Sequence, residues 1–385
     1  MKRVYLDHSA TTPIDPDVLQ SMHECLQSTF GNASSIHWYG REAKAVLERS
    51  REAIAHAIDA SPEEIVLTSG GTESDNYAVL GVARAGRKRG KNHIVVSAIE
   101  HHAVLDPALA LRDEGYAVDL LEVNENGIVD VERAKTLLRP ETSLLSVMHS
   151  NNETGAMQPI KELALLAHEA GAVIHTDAVQ SLGKVPLDVH DLGIDLLTIS
   201  AHKSYGPKGI GALYIRRGTP IDRLIHGGGQ ESKRRAGTEN TALAIGFSRA
   251  LEKCLPVMAE ESQRLQALRD YLHTKIAESF EGTICNTPIQ QSLPHILSVS
   301  FDSSQGVVDG EALIMGMDLR GFAVTSGSAC TSGTLSPSHV LRAMGRDLHT
   351  ARATVRFSLG RSTTMEDIDA SVDALIDVVT HLRSS

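Results

Sequence analysis

Short apolar runs alternate with amphipathic stretches through the first two thirds of the chain. The runs lie at Ile65 to Thr68, His93 to Ser97, Ala117 to Val123, Leu144 to His149, Ala172 to His175, Leu196 to Ser200 and Ala212 to Ile215. They are too short for helices, and Val, Ile and Leu dominate them, so they read as buried strands. Helix-spaced segments separate most of them, which predicts an α/β fold with a seven-stranded, mainly parallel, doubly wound sheet. Residues 178–194 exceed the roughly dozen residues that a parallel crossover needs. Residues 201–211, filled with turn chemistry, do not, so the seventh strand should run antiparallel.

Around this block the pattern predicts an extended arm over residues 1–14, ending at prolines. A helix from Asp15 to Phe30 carries Val18, Leu19, Met22 and Leu26 on one face, and a second helix spans Ala43 to Ile58. A helix from Asp75 to Ala85 follows the first strand. After Gly246 one long helix runs to about Phe280 and leads into a smaller α+β part. There strands are expected near Leu297 to Phe301, Phe322 to Thr325 and Thr354 to Ser358. Helices are expected at Gly310 to Met317, Ser336 to Met344 and Met365 to Leu382. The division predicted is a large domain over 15–258, with 1–14 and 259–385 forming the smaller one.

A chain of 385 residues is long for one core, which agrees with two domains. With 42% hydrophobic and 22% charged residues it has an ordinary soluble composition. The formal charge of −11 argues against a general nucleic-acid-binding surface. No apolar run approaches the ~18 residues of a membrane span, and the first residues show no secretory signal. The four cysteines, Cys25, Cys254, Cys285 and Cys330, are too scattered for a disulfide framework or a CxxC metal site. A reducing cytoplasm is the expected setting, and no metal is expected.

Polar residues cluster where strands end. Asp177 follows one run, and His202 with Lys203 follows the next, placing an acid and an amine at neighbouring carboxyl ends, where open α/β sheets bind ligands. Ser204 to Gly211 is turn chemistry that could hold a phosphate on backbone amides. A Schiff-base amine, a carboxylate for a pyridinium nitrogen and a phosphate cradle are what pyridoxal phosphate needs. Ser69-Gly70-Gly71-Thr72 opens a helix and is a further anion site. His101 comes just past the end of another strand, where an imidazole could stack on a planar ring and exchange protons. The Asn151 to Gly155 loop, also at a carboxyl end, offers amides to a carboxylate. Arg356 alternates with Val355 and Phe357; its fork suits a substrate carboxylate, though locally a solvated edge charge is the simpler reading. Cys330 lies among small polar residues, Thr325 to Thr334, which predict a mobile, exposed loop and an available thiolate. Gly227 to Thr238 is glycine-rich and basic, able to reach an anion on another subunit.

In order along the chain, LDHSATT, GNASSIH, TSGGTES, EHHAVL, NNETG, HTDAVQ, SAHKSYGPKGIG, RRAGTEN, SGSACTSG and RFSLGR resemble the NifS/IscS class of cysteine desulfurases, in the fold-type I pyridoxal phosphate superfamily. The resemblance implies that Lys203 forms the internal aldimine, that His101 stacks on the pyridine ring, that Asp177 pairs with its nitrogen and that Gln180 bonds its phenolic oxygen. It implies a phosphate cup of Gly71, Thr72, Ser200 and His202, completed by Thr238 from the other subunit of a homodimer. Asn152 and Arg356 would hold the carboxylate of L-cysteine. Cys330, on a loop similar to the long-loop group, would take the sulfur as a persulfide, leave L-alanine, and pass the sulfur to an acceptor protein such as an iron–sulfur scaffold. An iron–sulfur contact through Cys330 is a further implication. A selenocysteine lyase or an aminotransferase of the same superfamily is the alternative, and an aminotransferase would not need Cys330. Two departures stand out: His8 replaces another polar residue in the first motif, and the chain stops at Ser385, where housekeeping members carry a longer scaffold-binding tail.

Overall fold

The computed structural model describes residues 2–327 and 337–384. A two-residue strand β1 (Val4–Tyr5) is followed by helices α1 (Pro16–Ser28) and α2 (Trp38–His56). Then come β2 (Ile65–Thr68), α3 (Gly71–Arg87), β3 (His93–Ser97), α4 (His102–Asp113), β4 (Ala117–Leu121), α5 (Val131–Leu137), β5 (Thr142–Ser146), α6 (Ile160–Glu169), β6 (Val173–Asp177), α7 (Val189–Leu192), β7 (Leu196–Ser200) and β8 (Gly211–Ile215). These strands form one seven-stranded sheet in the order β2-β8-β7-β6-β5-β3-β4. Only β8 runs against its neighbours, pairing antiparallel with both β2 and β7, and the remaining pairs are parallel. The expected reversed seventh strand is therefore present. Strands β2, β3 and β5 to β8 are buried along their whole length, as a sheet covered by helices on both faces requires.

The rest comprises α8 (Thr241–Cys254), α9 (Met258–Ser279), β9 (Thr283–Cys285), β10 (Ile296–Phe301), α10 (Gly310–Leu319), β11 (Phe322–Ala323), α11 (His339–Ala343), α12 (Leu348–Arg352), β12 (Thr354–Ser358) and α13 (Met365–Ser384). Strands β12, β10 and β9 make a small antiparallel sheet, and β1 pairs with β11 in parallel. A second core joins Val4 and Leu6 to Leu265, Leu272, Phe301, Phe357, Leu375 and their neighbours. Among the described residues no helix is long and apolar enough to cross a membrane.

Several elements differ from their expected bounds. The predicted single helix after Gly246 is two, because Pro256 interrupts the ladder and a 3₁₀ turn at Leu255–Val257 separates α8 from α9. Helix α2 begins before Ala43, because the His37 ring caps it by accepting from the Gly40 amide at 3.3 Å. Helix α3 begins at Gly71 rather than Asp75; its N-cap, Gly70, has no capping side chain and so leaves no sequence signal. Strand β5 ends at Ser146, short of His149, and β9 and α12 were not anticipated.

Candidate active site

A cavity of about 620 Å³ opens at the carboxyl ends of the sheet strands. Asp177 is the last residue of β6 and Ser200 the last of β7, and these strands pair in register, with Asp177 opposite Thr198. Lys203 follows one 3₁₀ turn later. All three line the cavity, together with His101, Gln180 and His202. Gly71 and Thr72, the first residues of α3, form part of its wall, as do Asn152 and Arg356 from the other side. Of the residues expected in the site, Thr238 alone among those described stands apart: it is exposed and lies outside this cavity. Cys330 lies outside the described residues.

The amine of Lys203 is tethered to the N-terminal arm, donating to the carbonyls of Ser9 and, at 2.8 Å, of Ala10. Ser9 O also accepts from Gln180 Nε2 at 2.9 Å. Burial lowers the Lys203 pKa to about 8, helped by Arg356 and opposed by Asp177 and Asp7. Behind it the carbonyl of Lys203 accepts from the buried Lys184 ammonium at 3.3 Å. Asp177 has one carboxylate oxygen fixed by the Val179 amide at 2.8 Å. Burial raises its pKa to about 6, against the pull of that bond and of Lys203. His101 caps α4, its Nδ1 accepting from the Ala103 amide at 3.1 Å, so the ring proton belongs on Nε2. Burial, with Lys203 beside it, holds its pKa down to about 4, and the ring is neutral at physiological pH.

The turn before α3 is built for an anion. The first amides of any helix lack partners within it, and its dipole favours negative charge there. Gly70 takes φ +154°, and Gly211 of β8 packs so closely that a Cβ on it would sit 2.8 Å from Gly70 Cα. Ser200 Oγ is buried beside this turn without a hydrogen-bond partner. An unpartnered hydroxyl, helix amides and His202 suit a phosphate, and a buried carboxylate next to a lysine amine suits a pyridine ring nitrogen and an aldehyde carbon.

Arg356 corrects its local reading. It is 4% exposed, not a solvated edge charge. Its Nη2 donates to Asp7 at 2.7 Å and its Nη1 to Asn152 O at 2.7 Å, while Nε is buried with no partner. The alternation Thr354 to Ser358 was legible, but the free edge of β12 is taken by two other segments, the arm bridging at Asp7 to Ser358 and Thr325 bridging to Arg356.

Three buried carboxyls near the cavity escaped the sequence reading. Asp75, on α3, has an Oδ1 with no hydrogen bond, 3.6 Å from the His175 ring, and a pKa raised well above the usual range by burial and by Asp177. Glu100 accepts from Ser97 Oγ and the Met148 amide, both at 2.6 Å, and burial pushes its pKa to about 8. Glu153, within the NNETG motif, accepts from Ser338 Oγ at 2.5 Å. An acid inside a recognised motif is the only signal any of them left. His8 is buried edge-on to Tyr5 at 4.9 Å between ring centroids, and a Cβ at Gly360 would clash with its ring.

A family model described as aminotransferase class-V matches residues 4–370. The cysteine desulfurase IscS of Dictyoglomus turgidum is 47% identical over 385 residues, covering 100% of this chain and 96% of the relative. A solved structure described as a NifS-like protein superposes with TM-score 0.91 at 36% identity, covering 99% of this chain and 100% of that one. Another, described as SspA in complex with cysteine, superposes with TM-score 0.81 at 35% identity over 93% of this chain and 99% of that one. With this fold, this cavity and similarity along its whole length, the chain belongs to the class-V aminotransferase family, within its NifS/IscS cysteine desulfurase branch.

Proposed function

We propose that this protein is a pyridoxal-phosphate-dependent cysteine desulfurase, taking sulfur from L-cysteine and leaving L-alanine and a persulfide on Cys330. The observation that carries the reading is the convergence of Lys203 and Asp177 on one cavity, in a chain so similar to relatives of that name. Lys203 would hold the cofactor through its amine and Asp177 would face its ring nitrogen. His101 would lie against the ring, Gln180 near the phenolic oxygen, and Gly71, Thr72, Ser200 and His202 around the phosphate. Thr238 of a second copy would complete that cup, which makes the working form a homodimer. When bound, pyridoxal phosphate supplies an electron sink for the α-carbon of an amino acid.

The chain's own residues divide the remaining work. Arg356, with its free Nε, and Asn152 bind the substrate carboxylate and fix which bond of the α-carbon faces Lys203. Lys203, whose pKa burial lowers to about 8, takes the α-proton and returns one to the product once its tether to Ser9 and Ala10 is released. Neutral His101, protonated at Nε2, can give that proton and then take one back at the same atom. The Cys330 thiolate attacks the substrate sulfur: a sulfur–sulfur bond forms as the carbon–sulfur bond breaks, and the carbon takes up protons to become alanine. A sulfur-accepting protein then relieves Cys330.

Two variants test this. Cys330→Ser should keep the yellow bound cofactor yet release no sulfide from cysteine under reducing conditions; full sulfide release would remove Cys330 from the mechanism. Lys203→Ala should lose the absorbance of the lysine-bound cofactor, and an unchanged spectrum would overturn the assignment.

A further inference from the structure

Glu153 has no part in the scheme above, yet it occupies an unusual place. It belongs to the loop Asn151 to Gly155, which Asn151 closes by accepting from the amides of Glu153 and Thr154, both at 2.9 Å. The loop therefore delivers Glu153 to the cavity wall in a fixed pose, with the side chain 4% exposed. Burial raises its carboxyl above the ordinary range, opposed by Ser338, His339 on α11, Arg356 on β12 and His102 on α4.

Two contacts define what this carboxyl does. Ser338 Oγ donates to Oε2 at 2.5 Å and itself accepts from the Leu341 amide at 3.1 Å, so the bond ties Glu153 to the start of α11. On the other side Gly327 lies flat against the same side chain. A Cβ there would sit 3.2 Å from Oε2 and 3.3 Å from Cβ and Cγ, at a φ of +93°. Gly327 immediately precedes residues 328–336, which include Cys330, and Ser338 follows them closely. Glu153 thus touches both stems of the Cys330 segment.

Each stem has a second tie to the same wall. The Arg356 amide donates to Thr325 O at 2.6 Å, and the His339 ring meets Glu100 O at 2.9 Å. Arg356 also bonds the carbonyl of Asn152, the residue next to Glu153. The two ends of the segment expected to attack the substrate sulfur therefore meet one buried side chain, whose chain neighbour Asn152 is bonded in turn to Arg356.

We propose that Glu153 is a positioning residue for sulfur transfer: by gripping both stems at once it sets where Cys330 arrives relative to a substrate held by Asn152 and Arg356. The proposal rests on Cys330 being the sulfur acceptor. A grip of this kind depends on the length of the side chain and on an acceptor oxygen, not on charge. Glutamine preserves both, aspartate preserves the charge but withdraws the oxygen by one methylene, and alanine preserves neither.

The test uses the cofactor-loaded, full-length enzyme in single turnovers with cysteine, following persulfide on Cys330 by mass and cysteine binding by the change in cofactor absorbance. Glu153→Gln should form persulfide within about twofold of the unaltered enzyme. Glu153→Asp and Glu153→Ala should be slower by about 10- to 100-fold, the scale of a misplaced reacting group, with cofactor absorbance and cysteine affinity unchanged. Should Glu153→Asp fail to fold, Ser338→Ala removes the bond from one stem and should slow persulfide formation selectively, by several-fold. Wild-type rates in both Glu153→Asp and Glu153→Ala, or equal losses of cysteine binding and persulfide formation, would overturn the proposal. Cys330→Ser, run in parallel, separates the two ideas. Continued sulfide release there defeats the acceptor reading and this proposal with it, whereas a dead Cys330→Ser beside normal Glu153→Asp and Glu153→Ala defeats this proposal alone.

Discussion

Lys203 shows how a single side chain is prepared by its surroundings. Burial and the nearby Arg356 guanidinium take its pKa down to about 8 from an ordinary 10.5, while two carbonyls of the arm keep it pointed into the cavity. Only the free amine condenses with an aldehyde. The rate at which cofactor-free protein takes up pyridoxal phosphate should therefore rise with pH and level off a little above 8, as measured by absorbance in stopped flow. A climb continuing toward 10 would mean that the amine is not desolvated as described. The pairing of Lys203 with Asp177 was legible in the sequence because both stand directly after apolar runs whose spacing allows a parallel crossover. The tethering carbonyls of Ser9 and Ala10 were not, since backbone acceptors leave no trace in residue types. Arg356 was legible as a residue but not as a buried one. An alternating strand says which face a side chain takes, and not what other segment will cover that face.

Among the elements, the loop from Gly227 to Thr238 is anchored chiefly through Glu231. Glu231, Ser232 and Lys233 all have positive φ, at 46°, 54° and 65°, a conformation costing about 1–2 kcal/mol for each side-chain-bearing residue. Offsetting this, Arg51 of α2 makes two bonds to the Glu231 carboxylate, at 2.7 and 2.9 Å, and the Leu67 amide of β2 adds a third at 2.9 Å. A second ion pair, Arg235 to Glu73, fastens the loop to the first turn of α3, where the phosphate is proposed to sit. Arg51→Ala strands a buried carboxylate and should cost about 3–5 kcal/mol in urea unfolding. Removing both partners together, as Arg51→Met with Glu231→Leu, should cost less than the single change. The glycines and charges of this loop marked it as a reaching segment. Its anchor was invisible, because Arg51 reads as one more polar residue of an amphipathic helix. The same limit explains the helix boundaries: Pro256 announces a break only once the flanking helices are known to continue, and a glycine N-cap announces nothing.

At the scale of the whole molecule, we propose the division into 15–258 and 1–14 with 259–385 as the working one. It agrees with the second core, which takes Val4 and Leu6 and then nothing before Leu265. The exposed Thr238, outside the lining of its own cavity, agrees with a site shared between two copies. The protein should sediment as a dimer, and Thr238→Ala should release pyridoxal phosphate faster on dialysis while remaining dimeric; unchanged retention would place Thr238 outside the site. The arm spans Leu6 to Asp15. It bonds in turn to Ala323, Ser358, His202 and Tyr205, passing from the small sheet to the floor of the cavity, and presents its carbonyls to Lys203 on the way. It is a strap of fixed length stitched to both halves. A proteolytic cut within it would spare every residue assigned to cofactor or substrate, yet it would slacken the nucleophile and unlatch the two cores in one event.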